Sequence, residues 1–313
     1  MTDERNTHEY PVRLADSWSR AAVTALVEHV LGETAESLPP LGIVLDLEPA
    51  QPVRVAGTGH HGVAQLLGEL PEDGYAIICG DDSQAARLAR FTAAHVLRVG
   101  RSAGCDLLAE NIDAQTNQLR FTCDGVAFEL PLTGRHTVAW ALAAIAVGRA
   151  GCLDMKHMAA KLATVQLPAG HGEVIRRGEA TLVNNTAGGT LSAFRAATDV
   201  LRTLDANRRV VLCGERRAPE THGATARIIG QEVVTRCGAD VLVVCGEQRQ
   251  AIAASARQAG LAEENIVVAA SVSEALHAVA THTRAGDALL LEQGEALATA
   301  DLWRTPNILR RAA

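Results

Sequence analysis

Several stretches of this 313-residue chain carry residue types that could hold a charged ligand. Residues 184–190 read Asn-Asn-Thr-Ala-Gly-Gly-Thr, between the apolar run "ATLV" and an amphipathic run starting at Leu191. A strand that closes there into a helix would offer free backbone N–H groups to an anion, lined by Asn184, Asn185 and Thr186. The same residues serve equally as a helix cap and turn. Gly134-Arg135-His136 opens another helical run and could hold a ligand, although Arg and His at a helix start more often tie a domain junction together. His171 follows the linker Pro168-Ala169-Gly170. "GERRAPETHG" (214–223) reads as an exposed loop of mixed charge at the carboxyl edge of a sheet, where ligands bind in α/β folds, so Glu215, Arg216 and Arg217 join the candidates. "GTGHHG" (57–62) has the glycines of a phosphate loop but no lysine, and reads as a surface turn; His60-His61 has no third ligand nearby.

The absences are as informative. Lys156 and Lys161 are the only lysines and neither follows a glycine, so no GK[ST] phosphate loop exists. The seven cysteines show no CxxC or Cys/His spacing and read as reduced core thiols of a cytoplasmic protein. No catalytic set, metal site or cofactor site is expected. The net charge of −7 argues against nucleic acid as a partner, because a phosphate backbone needs a basic stripe. No run approaches the roughly 18 unbroken apolar residues of a membrane span, and the polar start is unlike a signal peptide.

The positioning elements follow from periodicity. Residues 1–40 hold one amphipathic helix, capped by Asp16, with Trp18, Ala21, Val23, Leu26, Val27 and Val30 at helical spacing and Pro39-Pro40 as its stop. Residues 41–167 read as an α/β domain: strands at "LGIVLDL", "YAIIC" and "AHVLRVG", a helix started by Asp81-Asp82, then an antiparallel meander over "DLLAENI", "QLRFTCD" and "VAFELPL" and two helices. From 168 to 313 apolar strand runs alternate with helices of 10–15 residues, which predicts a Rossmann-like domain with a mainly parallel sheet.

In order and spacing these pieces resemble the Mur ligases, most closely the D-alanyl-D-alanine-adding, MurF-like branch. "LPEDGYAIICGDDSQAARLA" is similar to that family's "LPEDGxAVLNADDPxxxxLA", and "LPLTGRHTVAWALAAIAVGRAG" to "LPLPGRHNVxNALAAxAVAxxLG". "LATVQLPAGHGEVIRRGEATLVNNTAGG" follows "LATFxPVPGRxEVxxxxGxTLIDDSYNAN". The resemblance spans about residues 41 to 295 and implies a truncated Mur-ligase-like central domain joined to a Mur-ligase-like C-terminal domain. It also implies ATP-driven formation of an acyl phosphate that an amine attacks, with Mg²⁺ and a phosphate-gripping lysine. Measured against that implication the chain departs at the phosphate loop, the metal ligands and several cationic groups. The segment bearing the phosphate loop looks missing, Gln51 replaces a metal-facing His, and no lysine stands where the carbamylated one would be. The hinge's two Asn are Thr137 and Trp140, the Arg after Pro-Gly is His171, two Asp are Asn184 and Asn185, and the "KGSR" Lys and Arg fall on Glu292 and Glu295.

Loss of the phosphate loop, the metal ligands and these cationic groups together removes the charge stabilisation that phosphoryl transfer depends on. The sequence thus predicts a catalytically inactive member of this family, acting by binding, scaffolding or regulation in peptidoglycan precursor synthesis, with another protein of that process as partner. Gly134, Arg135, His136, His171, Asn184, Asn185, Thr186, Glu215 and Arg216 are its candidate vestigial ligand residues. Two other readings stay open: an active amide ligase with a rebuilt or partner-supplied ATP site, and a Rossmann-type nucleotide or metabolite sensor, which lacks any GxGxxG.

Overall fold

Short apolar runs become strands that build three sheets among the described residues: a five-stranded one in the first of two units, a six-stranded one in the second, and a three-stranded ribbon. The first unit takes Met1–Asp113, Leu119–Pro131 and His136–Leu167, and the second takes the rest. The computed structural model describes residues 12–14, 19–32, 38–45, 63–82, 85–177, 179–214 and 222–292. Trp18, Gln51, His60, His61, Glu215, Arg216, Arg217 and Glu295 lie outside the described residues.

The first unit is built on a parallel sheet in the order β1 (Val12–Leu14), β2 (Leu41–Val44), β3 (Tyr75–Cys79), β4 (His95–Gly100), β5 (Leu107–Leu108). β2 is buried along its whole length and β3 over its last four residues, as strands covered on both faces must be. Strand β1 was not expected from sequence: only three residues long, it pairs in parallel with β2 and makes the start of the chain part of this sheet. Helix α1 (Arg20–Leu31) buries Val23, Leu26, Val27 and Val30 as its periodicity predicts, but Ala21 is exposed. It ends at Gly32 (φ 55°), well before Pro39-Pro40, and the Lys161 ammonium donates to the Val30 carbonyl (3.0 Å) at its negative end. Helices α2 (Val63–Gly68) and α3 (Ala85–Leu88) follow β2 and β3.

The meander is shorter than expected. Leu107 and Leu108 pair with β4 in the parallel sheet, and only β6 (Glu110–Gln115), β7 (Gln118–Cys123) and β8 (Val126–Leu130) form the antiparallel ribbon. Its Asp124-Gly125 turn takes positive φ at both residues, the geometry that matches strand twist in a two-residue hairpin. Helix α4 (Thr137–Ala150) buries eleven of its fourteen residues, because it packs on β3 and β4 and also against α1 and α5 (Met155–Leu162).

The second unit has six strands in the order β13 (Ile266–Val268), β12 (Val241–Val244), β11 (Arg208–Cys213), β14 (Asp287–Glu292), β10 (Ala180–Asn185), β9 (Glu173–Arg177). Five are parallel. The edge strand β9, unexpected from sequence, is antiparallel to β10. Helices α6 (Leu191–Thr203), α7 (His222–Thr235) and α8 (Arg249–Gln258) share one apolar cluster with one sheet face, and α9 (Val272–His282) packs on the other. This division follows from connection handedness: the chain steps outward from β10 through β13 and then returns to β14, which reverses the covered face. Among the described residues no helix is long and apolar enough to cross a membrane.

Candidate functional site

The carboxyl edge of the second sheet is where the predicted ligand residues gather. Parallel pairing sets Asn185, Glu292 and Cys213 side by side in register on β10, β14 and β11. In-register neighbours on parallel strands point to one face, here the face that carries α6 and α7. All three are buried, with Asn185 and Glu292 at 0% and 1% exposure. The Asn185 amide donates to Glu292 Oε2 at 2.6 Å and to the Ala193 carbonyl in the first turn of α6 at 3.2 Å. Both its N–H bonds are therefore spent, and its carbonyl oxygen Oδ1 is buried without a hydrogen-bond partner.

Asn184 points the other way along the pleat. Its amide donates to Glu173 Oε1 of β9 at 2.5 Å, and its oxygen accepts from the Thr186 hydroxyl (2.8 Å) and N–H (3.3 Å). The turn that follows is closed on itself. Ala187 N–H donates to the Gly170 carbonyl and Gly188 N–H to the Asn185 carbonyl. The expectation that this turn presents free N–H groups to an anion therefore fails at Thr186, Ala187 and Gly188, each already hydrogen-bonded within the chain. Thr190, not an Asn, caps α6, accepting from the Ala193 N–H at 3.1 Å. His171 is buried with Nδ1 hydrogen-bonded to the Pro168 carbonyl (2.9 Å), so the linker and the turn form one packed unit. Gly170 (φ 90°) is needed there, since a Cβ would sit 2.7 Å from the Thr186 hydroxyl and 2.8 Å from Ala187 N.

Gly134 and Arg135 fall with the second unit and His136 with the first, so the boundary between units passes through the motif. His136 precedes α4 and meets Trp140 edge-on, ring centroids 4.9 Å apart; Thr137 and Trp140 are buried. An indole therefore fills protein interior at a position where the motif has a small polar side chain.

One arrangement in the first unit escaped sequence reasoning. Asp81 does not start a helix. Its carboxylate accepts from Arg101 N–H, Ser102 N–H, the Ser102 hydroxyl and Arg101 Nε, all at 2.8–2.9 Å. Burial opposes its ionisation, but these donors together with the Arg101 charge outweigh it and hold the carboxyl below its ordinary value. The loop after β4 thus wraps an internal anion. Cys105 packs beside it, in space left by Gly80, where a Cβ would lie 2.5 Å from the sulfur. Among the described residues no group of three or more His, Cys, Asp and Glu could hold a metal ion.

Comparison with known proteins agrees with this architecture. Residues 62–148 match the Mur ligase middle domain, and residues 172–292 match the Mur ligase, glutamate ligase domain. A UDP-N-acetylmuramate–L-alanine ligase of Stenotrophomonas maltophilia is 43% identical over 90 residues, a stretch that is 27% of this chain and 19% of that relative. Among solved structures, MurF from Acinetobacter baumannii superposes with a TM-score of 0.73 at 14% identity, covering 96% of this chain and 77% of that one. MurF from Thermotoga maritima in complex with ADP gives 0.70 at 12% identity, covering 96% and 79%. The sequence relative and the structural neighbours belong to different branches; what they share with each other and with this chain is the family. The chain belongs to the Mur ligase family.

Proposed function

We propose that this chain is a Mur ligase relative that no longer drives ligation with ATP and acts instead by binding, in a scaffolding or regulatory role linked to peptidoglycan precursor synthesis. The observation that carries the reading is the Asn185–Glu292 pair. The family resemblance puts a carboxylate at the first position and a lysine at the second, and here the two replacements touch at 2.6 Å inside the sheet edge. An acid side chain at residue 292 gives a triphosphate no cation to bind, and the turn above it has spent three of its N–H groups internally. The chain also has no GK[ST] sequence and no lysine before Lys156. Losing several charge-assisted contacts, each worth roughly 1.5–3 kcal/mol, lowers nucleotide affinity by orders of magnitude.

Calorimetry with Mg-ATP at millimolar nucleotide should give no saturable binding. Phosphate release with a muramoyl-peptide and D-alanyl-D-alanine should stay at background. Micromolar Mg-ATP binding that is lost on substituting Asn184, Asn185 or Thr186 would overturn the proposal in favour of a rebuilt ATP site. A partner from cell-wall precursor synthesis, sought by affinity capture on the full chain, is the positive counterpart of this test.

A further inference from the structure

The amino end of the second sheet holds an arrangement unrelated to the Asn185–Glu292 pair at its other end. Helices that follow parallel strands run back toward the strands' amino ends, so the C-termini of α6 and α7 arrive beside the start of β11. Three arginines belong to this end of the sheet: Arg202 in the last turn of α6, Arg209 as the second residue of β11, and Arg236 directly after α7. Arg209 is on the α6/α7 face, since strand alternation groups it with Val211 and Cys213 of that core. Cys237 lies among them, and the guanidiniums of Arg209 and Arg202 both act on its thiol, which burial pushes up to about 12.

Acidic groups pair with only one of these cations, Arg236. Asp199 takes the Arg236 Nη2 with both oxygens at 2.8 Å, and Asp240 spends an oxygen on the Arg209 backbone N–H at 2.8 Å. Asp205, exposed between α6 and β11, accepts no side-chain hydrogen bond from them. Arg202 and Arg209 make no side-chain hydrogen bond or ion pair among the described residues. The Nε–H groups of Arg209 and of Arg236 are both buried with no acceptor. One orphaned guanidinium donor is an accident of packing. Two in one cluster, next to an unpaired third arginine in a chain of net charge −7, ask for an acceptor that the protein does not supply.

We infer that Arg202, Arg209 and Arg236 form an oxyanion site that takes a phosphate group, free or carried on a small molecule. Arginine suits such a ligand because its planar donors meet two oxygens at once. The site stands on the fold of the second unit alone and does not depend on the proposed loss of ligase activity.

The test uses the full chain titrated with inorganic phosphate or glycerol 3-phosphate at constant ionic strength, read by calorimetry and melting temperature. Saturable binding of either is expected, with tighter binding of the ester showing that the phosphate is carried on a larger molecule. Arg202→Gln and Arg209→Gln should each weaken binding about tenfold, the loss of one charge-assisted contact. Arg202 is exposed, so its variant reports on binding without risk to folding, and Arg90→Gln in the first unit should change nothing. No response beyond that to sodium chloride at matched ionic strength overturns the inference. So does a response that both glutamine variants leave intact.

Discussion

Restoring the family's carboxylate at residue 185, as Asn185→Asp, should damage the fold rather than repair a site. The amide nitrogen that now donates to Glu292 Oε2 at 2.6 Å would become an oxygen facing an oxygen. Two carboxylate charges about 4 Å apart repel by about 4 kcal/mol at an effective dielectric of 20. The protein can escape by protonating one of them. At pH 7 that costs about 4 kcal/mol, since an aspartate ordinarily titrates about 3 pH units lower and each unit is worth about 1.4 kcal/mol. At pH 5 the same escape costs only about 1.5 kcal/mol. The sign follows from linkage: the folded-state pKa of the new carboxyl is raised, so the penalty is absent below its unfolded value and grows as pH rises through the window above it.

Two units can unfold separately, so the readout should be local. Amide exchange of Leu289–Leu291, on β14 and 0–1% exposed, reports opening of this sheet. Protection should fall in Asn185→Asp by the equivalent of about 4 kcal/mol at pH 7 and by less than half of that at pH 5. Adding Glu292→Lys should recover at least about 2 kcal/mol relative to the sum of the single variants, because it restores an opposite-charge pair. A single variant within about 0.5 kcal/mol of the parent at both pH values would refute the reasoning, since it would mean that no ionised carboxylate faces residue 185.

Gly230→Ala should loosen the α7–α8 contact, because the new Cβ would meet the Ile252 carbonyl and stand 2.7 Å from Ser255 Cβ; a loss of about 1–3 kcal/mol in chemical unfolding is expected. Thr198→Val should stabilise by about 1 kcal/mol, since its buried hydroxyl has no partner and the change puts a methyl of similar size in its place; a lower melting temperature would contradict this. Arg208→Ala should cost about 3–5 kcal/mol, because Asp287, 1% exposed and held by Arg208 at 2.6 Å, would be left as a buried unpaired charge. Asp81→Asn should lower stability at neutral pH by about 2 kcal/mol through its donors from Arg101 and Ser102. Since the Asp81 carboxyl is held below its ordinary 3.8, that difference persists above 3.8 and shrinks as pH falls below it, which melting scans from pH 6 to pH 3 would show.

What the sequence made legible were the elements whose signal is local. The β10, β11, β12 and β14 runs are continuous and apolar because both their faces are covered, and α6 and α9 begin one residue after a Thr or Ser cap. Elements stabilised by neighbours were hidden. The three residues of β1 have no pattern of their own and exist because β2 offers them an edge. β9, "EVIRR", follows a Pro-Ala-Gly linker and reads as its continuation, yet it pairs with β10 over five residues. Leu107 and Leu108 joined the parallel sheet although they lead straight into the meander. Asp81-Asp82 carried a real helix-start signal, but the donors of the 101–102 loop, twenty residues on, captured the first carboxylate.

The site shows the same limit in a more consequential form. Residue types marked Asn184, Asn185 and Thr186 as a turn that could bind an anion, and the family resemblance set Glu292 where a lysine would stand. Neither reading contains the fact that joins them, a hydrogen bond between residues 107 positions apart that only the β10–β14 register creates. Once that contact is known, the two substitutions are no longer independent losses. A lone Lys-to-Glu change at 292 would set two buried carboxylates against each other, and a lone Asp-to-Asn change at 185 would strip a buried lysine of its partner, each costing several kcal/mol on the order expected for a broken buried pair. Together they leave a neutral donor on a carboxylate, which the sheet edge tolerates. A fold that accommodates the exchange in this way keeps its packing constraint at the sheet edge with no cation there. That is why the pair, more than the missing lysines, carries the proposed loss of ATP-driven ligation and gives that proposal its test in Asn185→Asp.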